Sequence, residues 1–305
     1  MSDSPAGLTA TVVIATKNRS ADLAIAIESA LAQTARPEVL VIDDGSTDGT
    51  SQMVAEKYPE VRLDRAEISR GYIVQRNRAA QMAKGQILFS IDDDAAFSSP
   101  RVVEQTLTEF DHPRVGAVAI PFADVRKSPR INQWAPSAER IYVSYSYIGT
   151  AHALRRDLFL RMGGYRDVLI HQGEEQDFTV RILDAGYITR TGRADPIHHF
   201  ESPHRDEGRA TLHARRNEIL YAWHNVPMPY FPFHLTATMA KGLLYGFRRK
   251  CLPLCVRGEL SGLAAMCGEP GKRRPVRGTT YRLSRWLRKH DPSPLASIES
   301  RLPPI

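Results

Sequence analysis

Three short apolar runs, each ending in a polar cluster, constrain this chain more than any other feature. Thr9–Ala15 is rich in β-branched residues and runs into Thr16-Lys17-Asn18-Arg19. Val39–Ile42 runs into Asp43-Asp44-Gly45-Ser46-Thr47-Asp48, and Ile87–Ile91 stops at Asp92-Asp93-Asp94. Apolar runs this short, without alternation, suit strands buried on both faces. Helices are expected between them. Ser20 can cap one whose apolar face holds Leu23, Ile27, Ala30 and Leu31, and others are expected over Thr50–Lys57 and Val74–Lys84. Strands separated by helices predict an α/β fold, a mostly parallel central sheet flanked by helices. Ligands bind off the carboxyl ends of such strands. The clusters 16–19, 43–48 and 92–94 should therefore meet in one crevice.

The crevice has an unusual composition for a phosphate site. No G-x-G-x-x-G follows the first strand and no G-x-x-x-x-G-K-[ST] occurs, so the dinucleotide and P-loop cradles are absent. Carboxylates collect there instead. Three adjacent Asp repel one another unless a cation neutralises them. Mg²⁺ or Mn²⁺ held by hard oxygens would do so and could bridge to a diphosphate. The plainer alternative is an acidic loop capping a helix that Ser99-Pro100 begins.

The ordered segments V-V-I-A-T-K-N-R, V-L-V-I-D-D-G-S-T-D-G-T and R-N-R-A-A-Q-M-A-K-G-Q-I-L-F-S-I-D-D-D resemble the family 2 glycosyltransferases, over about 9–187 and more loosely to 221. The resemblance implies a GT-A fold, a Rossmann-like sheet, and a nucleotide-diphosphate sugar as donor. It places Thr16, Asn18 and Arg19 beside the nucleotide, with Lys17 where the family often has an aromatic ring. It implies that Asp44 accepts a hydrogen bond from a base N–H and that Arg76-Asn77 line the nucleotide or diphosphate pocket. Asp92 and Asp94 would form the D-x-D pair, Asp92 towards the ribose and Asp94 on the metal, with Asp93 between them also in the nucleotide-sugar site.

In the second half, Arg161-Met-Gly-Gly-Tyr165 is similar to the family's G-G-[YF] segment. Glu174-Glu175-Gln176-Asp177-Phe178 follows, with Arg181 at the family's place. Glu175 stands where the family usually has its Asp general base, with Glu174 the alternative. Acidic residues in a first helical turn are also favourable for the helix alone. His199, or else His198, fits a His near the metal or diphosphate. His152, in Gly149-Thr-Ala-His-Ala, lies in the segment that lines the family's acceptor pocket, and Asp177 is grouped with it on the acceptor side. Arg205, Arg215, Arg216 and Asn217 could meet phosphate or form a solvated face.

Charge divides the chain. Residues 235–305 carry 14 Lys/Arg against 4 Asp/Glu, a net of +10. Met239, Leu243, Leu244 and Phe247 form an apolar stripe beside Lys241, Arg248, Arg249 and Lys250, and Trp286 and Leu287 sit among arginines. Basic amphipathic segments of this kind suit an anionic membrane surface, packing on the catalytic domain, or a homodimer. No nucleic-acid-binding motif accompanies the charge, so nucleic acid is not an expected partner. Pro292–Ile305 reads as a poorly ordered tail.

Composition excludes several classes. With 25% charged residues the chain is not disordered as a whole. Its three Cys, at 251, 255 and 267, make neither a disulfide scaffold nor a zinc site. The N-terminus has no signal-peptide pattern. Prolines at 227, 229 and 232 interrupt the longest uncharged stretch, which argues against a membrane span. The expected location is cytoplasmic, or peripheral on the inner face of the membrane.

These features predict a catalytic domain over 1–225, its nucleotide-sugar half at about 9–110 and its acceptor half at 111–225. A basic helical C-terminal extension covers 226–305. The expected activity is inverting, metal-dependent transfer of a sugar from a nucleotide-diphosphate sugar to a hydroxyl on a glycan, a lipid-linked acceptor or a small molecule. A sugar-phosphate nucleotidyltransferase, or a catalytically silent nucleotide-sugar-binding protein, are the alternatives.

Overall fold

The computed structural model describes residues 7–200 and 206–305. Residues 1–6, where the leader reading starts, and Arg205 lie outside the described residues. The strands are β1 (Ala10–Thr16), β2 (Glu38–Asp43), β3 (Arg62–Arg65), β4 (Ile87–Asp92), β5 (Ala95–Phe97), β6 (Val115–Ala119), β7 (Phe122–Asp124), β8 (Tyr142–Ser144), β9 (His152–Arg155), β10 (Ile188–Thr191), β11 (Ile197–His199) and β12 (Ser293–Pro294). The helices are α1 (Ser20–Leu31), α2 (Thr50–Lys57), α3 (Tyr72–Met82), α4 (Val102–Thr108), α5 (Arg156–Arg161), α6 (Glu174–Asp184), α7 (Glu207–Asn225), α8 (Tyr230–Arg248), α9 (Leu252–Cys267) and α10 (Gly278–Lys289).

Nine strands form the central sheet in the order β12-β8-β10-β6-β9-β4-β1-β2-β3. β3-β2-β1-β4 are parallel, and only β8 and β9 run against the common direction. Strand alternation divides β1 between two cores. Val12 and Ile14 face one, with Leu23 and Ile27 of α1; Val13 faces the other, with Ile73 and Ala79 of α3. Each fully buried Ile or Val side chain contributes about 1.5–3 kcal/mol. β3 was not expected, because Arg-Leu-Asp-Arg has no apolar run. It is an edge strand, where charges hinder pairing with other chains.

Register brings the clusters together. Thr16 pairs with Asp43 and Ala15 with Asp92, so the ends of β1, β2 and β4 are level. A second sheet, β5-β11-β7, sits beyond them, and its register sets His199 opposite both Ala95 and Asp124. The start of α1 differs from expectation: Arg19 holds the cap position without a side-chain cap bond, and Asp48 accepts the Ser20 N–H instead.

Helices α7, α8 and α9 pack against one another, and α10 packs on α6. Gly258 and Gly262 allow the close approach of α9 to α7, since a Cβ there would meet the Leu212 and Arg216 carbonyl oxygens at 2.6 and 2.7 Å. The tail corrects the reading of 292–305 as poorly ordered. β12 pairs with β8, and Leu295, Ile298 and Leu302 join the main core. The Pro303 carbonyl accepts from Arg114 at 2.8 Å. The apolar residues responsible are too sparse, among Pro and Ser, to show a period.

Candidate active site

The three adjacent aspartates have separate partners. Asp92 accepts from Arg76 Nη2 at 2.7 Å. Asp93 is buried against Thr16 Oγ1 at 2.8 Å and Arg19 Nη1 at 3.1 Å. Asp94 meets Arg19 Nη1 at 2.8 Å and His199 Nε2 at 3.3 Å. Protein cations therefore relieve part of the repulsion that the triplet alone would suffer. Burial pushes the Asp93 carboxyl up to about 7. Burial also opposes ionisation of Asp94, but the hydrogen bond and charge of His199, with Arg19, hold it at about 2.

Asp92, Asp94 and His199 form one group, each offering a ligand atom within 4.8 Å of the others. Two carboxylates and an imidazole suit a hard divalent cation such as Mg²⁺ or Mn²⁺. His199 Nδ1 lies 2.5 Å from Asp124 Oδ1, the carboxylate–histidine arrangement that orients a metal-binding imidazole. Burial disfavours the charged ring, but bonds to Asp94 and Asp124 outweigh it and raise His199 to about 9. A metal would take the place of the Nε2 proton. Side-chain alternation along β11 turns His198 to the opposite face, outside this group.

The other half of the site is the start of α6. Glu174 is completely buried; Tyr72 donates to it at 3.1 Å and Arg76 Nη1 lies at 3.4 Å. Burial and the neighbouring Glu175 raise its carboxyl to about 8. Glu175 is partly exposed and lines a cavity of about 810 Å³. Desolvation raises its carboxyl as well, opposed by a Gly149 backbone hydrogen bond and by Arg76. A Cβ on Gly149 would stand 2.9 Å from Glu175 Oε1 and 3.1 Å from Arg76 Nη1, so the pair needs glycine there. Arg76 also donates to the Gly149 carbonyl at 3.0 Å.

Five assignments change. His152 is 1% exposed, stacked on Tyr147, with Nε2 3.0 Å from the Tyr165 hydroxyl; burial and then Arg76 push it down to about 3. It is a neutral core residue and faces no acceptor. Asp177 is buried between Arg166 (2.6 Å), Arg181 (3.0 Å) and Asn225 (2.7 Å), facing the core instead of the cavity. Asn77 holds the 165–167 loop through the Tyr165 backbone and Asp167, and it lines a separate cavity of about 470 Å³ with Gly164 and Asp167, away from the aspartate triplet. Arg216 and Asn217 are buried and bind carbonyls of Val168, Leu169, His171 and Gln172, fixing the approach to α6, so they form no solvated face. Asp44 already accepts from Ser69, the Arg70 and Gly71 N–H groups and Gln75, at 2.5–2.9 Å. A carboxylate has about four acceptor sites, so a base N–H would have to displace one of these donors.

Thr16 and Arg19 bond to Asp93 and Asp94, so the first and third strand-end clusters meet as predicted. Asn18 is exposed at the crevice rim, its side chain accepting from Thr47 N–H and its own N–H donating to Ser46. Sequence reasoning missed Tyr72, Asp124 and Gly149. Their roles depend on partners 75–102 residues away, or on the absence of a side chain, so local pattern carried no signal. It also missed that Arg215, Lys241, Arg285 and Arg288 line one cavity.

The model of the family "Glycosyl transferase family 2" matches residues 11–166. An uncharacterized glycosyltransferase of Haemophilus influenzae is 24% identical over 222 residues, covering 68% of this chain and 70% of that one. The succinoglycan biosynthesis protein ExoU of Rhizobium meliloti is 29% identical over 196 residues, 57% of each chain. A mannosyltransferase of Pyrobaculum calidifontis, solved with GDP-Man and Mn²⁺, superposes with a TM-score of 0.58 at 20% identity, covering 96% of this chain and 84% of that one. The fold is therefore that of a GT-A glycosyltransferase. The chain belongs to glycosyl transferase family 2 and is an enzyme that transfers sugars. Nucleotidyl transfer and a catalytically silent role lose their support.

Proposed function

We propose that this enzyme moves a sugar from a nucleotide-diphosphate sugar to an acceptor hydroxyl, with inversion, and that Glu175 is the general base. The observation that carries the reading is the division of labour at α6. Glu174 is walled in by Arg76 and Tyr72, while Glu175 opens onto the large cavity and Arg76 links it to the Asp92 side. An acceptor in the cavity would give its hydroxyl proton to the Glu175 carboxylate as its oxygen attacks C1 of the sugar. The C1–O bond to the diphosphate breaks, and its electron pair leaves with the nucleoside diphosphate. Asp92, Asp94 and His199 would hold Mg²⁺ or Mn²⁺, which when bound neutralises diphosphate charge. The GDP-Man and Mn²⁺ of the mannosyltransferase neighbour support this donor class. Thr16 and Arg19 position the aspartates, and Arg76 holds Asp92 and the α6 carboxylates in one frame.

The domain assignment follows: 1–225 for catalysis, with the donor half near 9–110 and the acceptor half at 111–225. The extension 226–305 closes the cavity. The test is product stereochemistry by NMR, with donor binding followed by thermal shift with and without Mn²⁺. Retention of anomeric configuration would overturn the mechanism.

A peripheral membrane location on the inner face is the second part of the reading. No helix among the described residues is long and apolar enough to cross a membrane. The α8–α9 hairpin nevertheless exposes Phe247 (74%), Leu260 (60%) and Leu244 (48%). Arg248, Arg249 and Lys250 are exposed beside them, and the hairpin's one acid, Glu259, is buried. Apolar side chains flanked by cations suit the interface of an anionic bilayer.

A further inference from the structure

The cavity beside Glu175 carries more positive than negative charge, and Glu218, which feels Arg215, Arg288 and Lys241, offsets only part of it. Its walls come from α6, α7, α8, α10 and Tyr145, and they carry Arg215, Lys241, Arg285, Arg288 and Lys289 against two carboxylates, Glu175 and Glu218. Arg215 is paired with Glu218 at 2.8 Å. Among the described residues, no carboxylate lies within ion-pair distance of Lys241, Arg285 or Arg288. Their field reaches a neighbour: burial, then Arg285, Arg288 and Lys241, depress His234 to about 4. Cations that outnumber their counter-charges in a concave site repel one another less when an anion enters. Aromatic rings line the same space, Tyr221 and Tyr281 within it and Phe233, 77% exposed, at its wall. At about 810 Å³ the cavity lies in the upper part of the range for ligand sites, roughly 300–1,000 Å³.

We infer that this cavity takes an acceptor bearing a phosphate or diphosphate, with Lys241, Arg285 and Arg288 on the anion and the reacting hydroxyl turned to Glu175. The inference rests on the glycosyl-transfer reading for the identity of the occupant as acceptor; the anion site itself does not. The phosphate takes no part in bond making. It anchors the molecule while another part reacts.

The shared chemistry has two sources, a soluble phosphorylated sugar or a lipid-linked one, and the probes separate them. Farnesyl diphosphate, inorganic diphosphate and farnesol are titrated calorimetrically into the full chain in EDTA, which removes metal-bridged binding at the aspartates. Farnesyl diphosphate should bind, and Arg285→Gln with Arg288→Gln should weaken it about tenfold or more, as expected for lost charge-assisted hydrogen bonds. Arg282→Gln, on the same helix but outside the cavity, should leave it unchanged. Equal affinity for inorganic diphosphate supports an anion site that serves soluble acceptors; a clear preference for the farnesyl compound supports a lipid-linked one. Farnesol binding as well as the diphosphate, no binding by either diphosphate, or indifference to the double substitution overturns the inference. Arg285 and Arg288 have exposed heads, and nucleoside diphosphate binding with Mn²⁺ is measured in parallel. Failure of that parallel titration alone, in wild type, counts against the donor reading and leaves the anion site standing.

Discussion

Arg76 donates to Asp92 at 2.7 Å from a side chain that is itself buried. Because the same guanidinium lies 3.4 Å from Glu174, one cation ties the end of β4 to the start of α6. The carboxylates at the end of β4 and those at the start of α6 share a common brace.

Glu175→Gln keeps the size of the side chain and removes its basicity. Transfer should fall by about 10²–10⁴, the usual cost of losing a positioned base, with donor affinity nearly unchanged. Initial rates and nucleotide titrations on one preparation check this. If Glu174→Gln reproduces the loss and Glu175→Gln does not, the base is the other carboxylate.

The pH profile follows from the same carboxyl. Desolvation raises Glu175 above its ordinary 4.5, and a base works only when deprotonated. The acid limb of kcat/KM should therefore sit above pH 4.5, with activity rising as pH rises through it. A limb at or below that value contradicts the assignment.

Stability should show the opposite slope. Glu174 titrates at about 8 when folded, against an ordinary 4.5, so between those values the folded chain binds more proton than the unfolded one. Its contribution to stability is then present below pH 4.5 and lost as pH rises towards 8. Thermal denaturation across pH 5–8 should give a shallower decline for Glu174→Gln than for wild type.

Asp124→Asn should weaken Mn²⁺-dependent nucleotide binding about 10–100-fold by loosening the orientation of His199. Asp94→Asn should remove the metal dependence. Calorimetry with Mn²⁺ and with EDTA distinguishes the two; equal binding in every condition would remove the metal from the reading.

Asp177→Ala tests a correction. It leaves Arg166 and Arg181 without their shared buried partner, a change that costs about 3–5 kcal/mol. Chemical denaturation should show that loss, while transfer per folded molecule stays near wild type. A normal midpoint with lost transfer would return Asp177 to the acceptor.

For the hairpin, sedimentation with vesicles of anionic lipid should require the anionic component and weaken with salt. Phe247→Ser with Leu244→Ser should reduce it. Failure to bind at any salt concentration returns α8–α9 to a solvated surface.

The half built on β1, β2 and β4 was legible in sequence because its information is local. β1, β2 and β4 announce themselves as apolar runs, and the polar residues that matter stand directly at their ends. The Asp92, Asp94 and His199 group was named from family resemblance, and β11 brings its third member in from about a hundred residues away. Misreadings arose where a polar residue serves the core. His152 and Asp177 look like chemistry in one dimension, yet their partners, Tyr165, Arg166 and Asn225, come from separate segments that no spacing reveals. The tail was misjudged for a related reason, since Leu295, Ile298 and Leu302 gain their meaning only from a core built elsewhere.

The pairing of β12 with β8 has a consequence for biosynthesis. β8 lies next to β10, and among the described residues its outer edge is paired by β12 (Ser293–Pro294) with Leu295, some 150 residues further along the chain. While the ribosome is still adding that stretch, the catalytic sheet carries an open edge able to recruit a strand from another nascent chain. Pro294 then ends the sheet with a residue that has no N–H to offer a newcomer. A fusion or truncation that disturbs residues 291–302 should therefore first appear as lost soluble yield, before any change in catalytic constants is measurable.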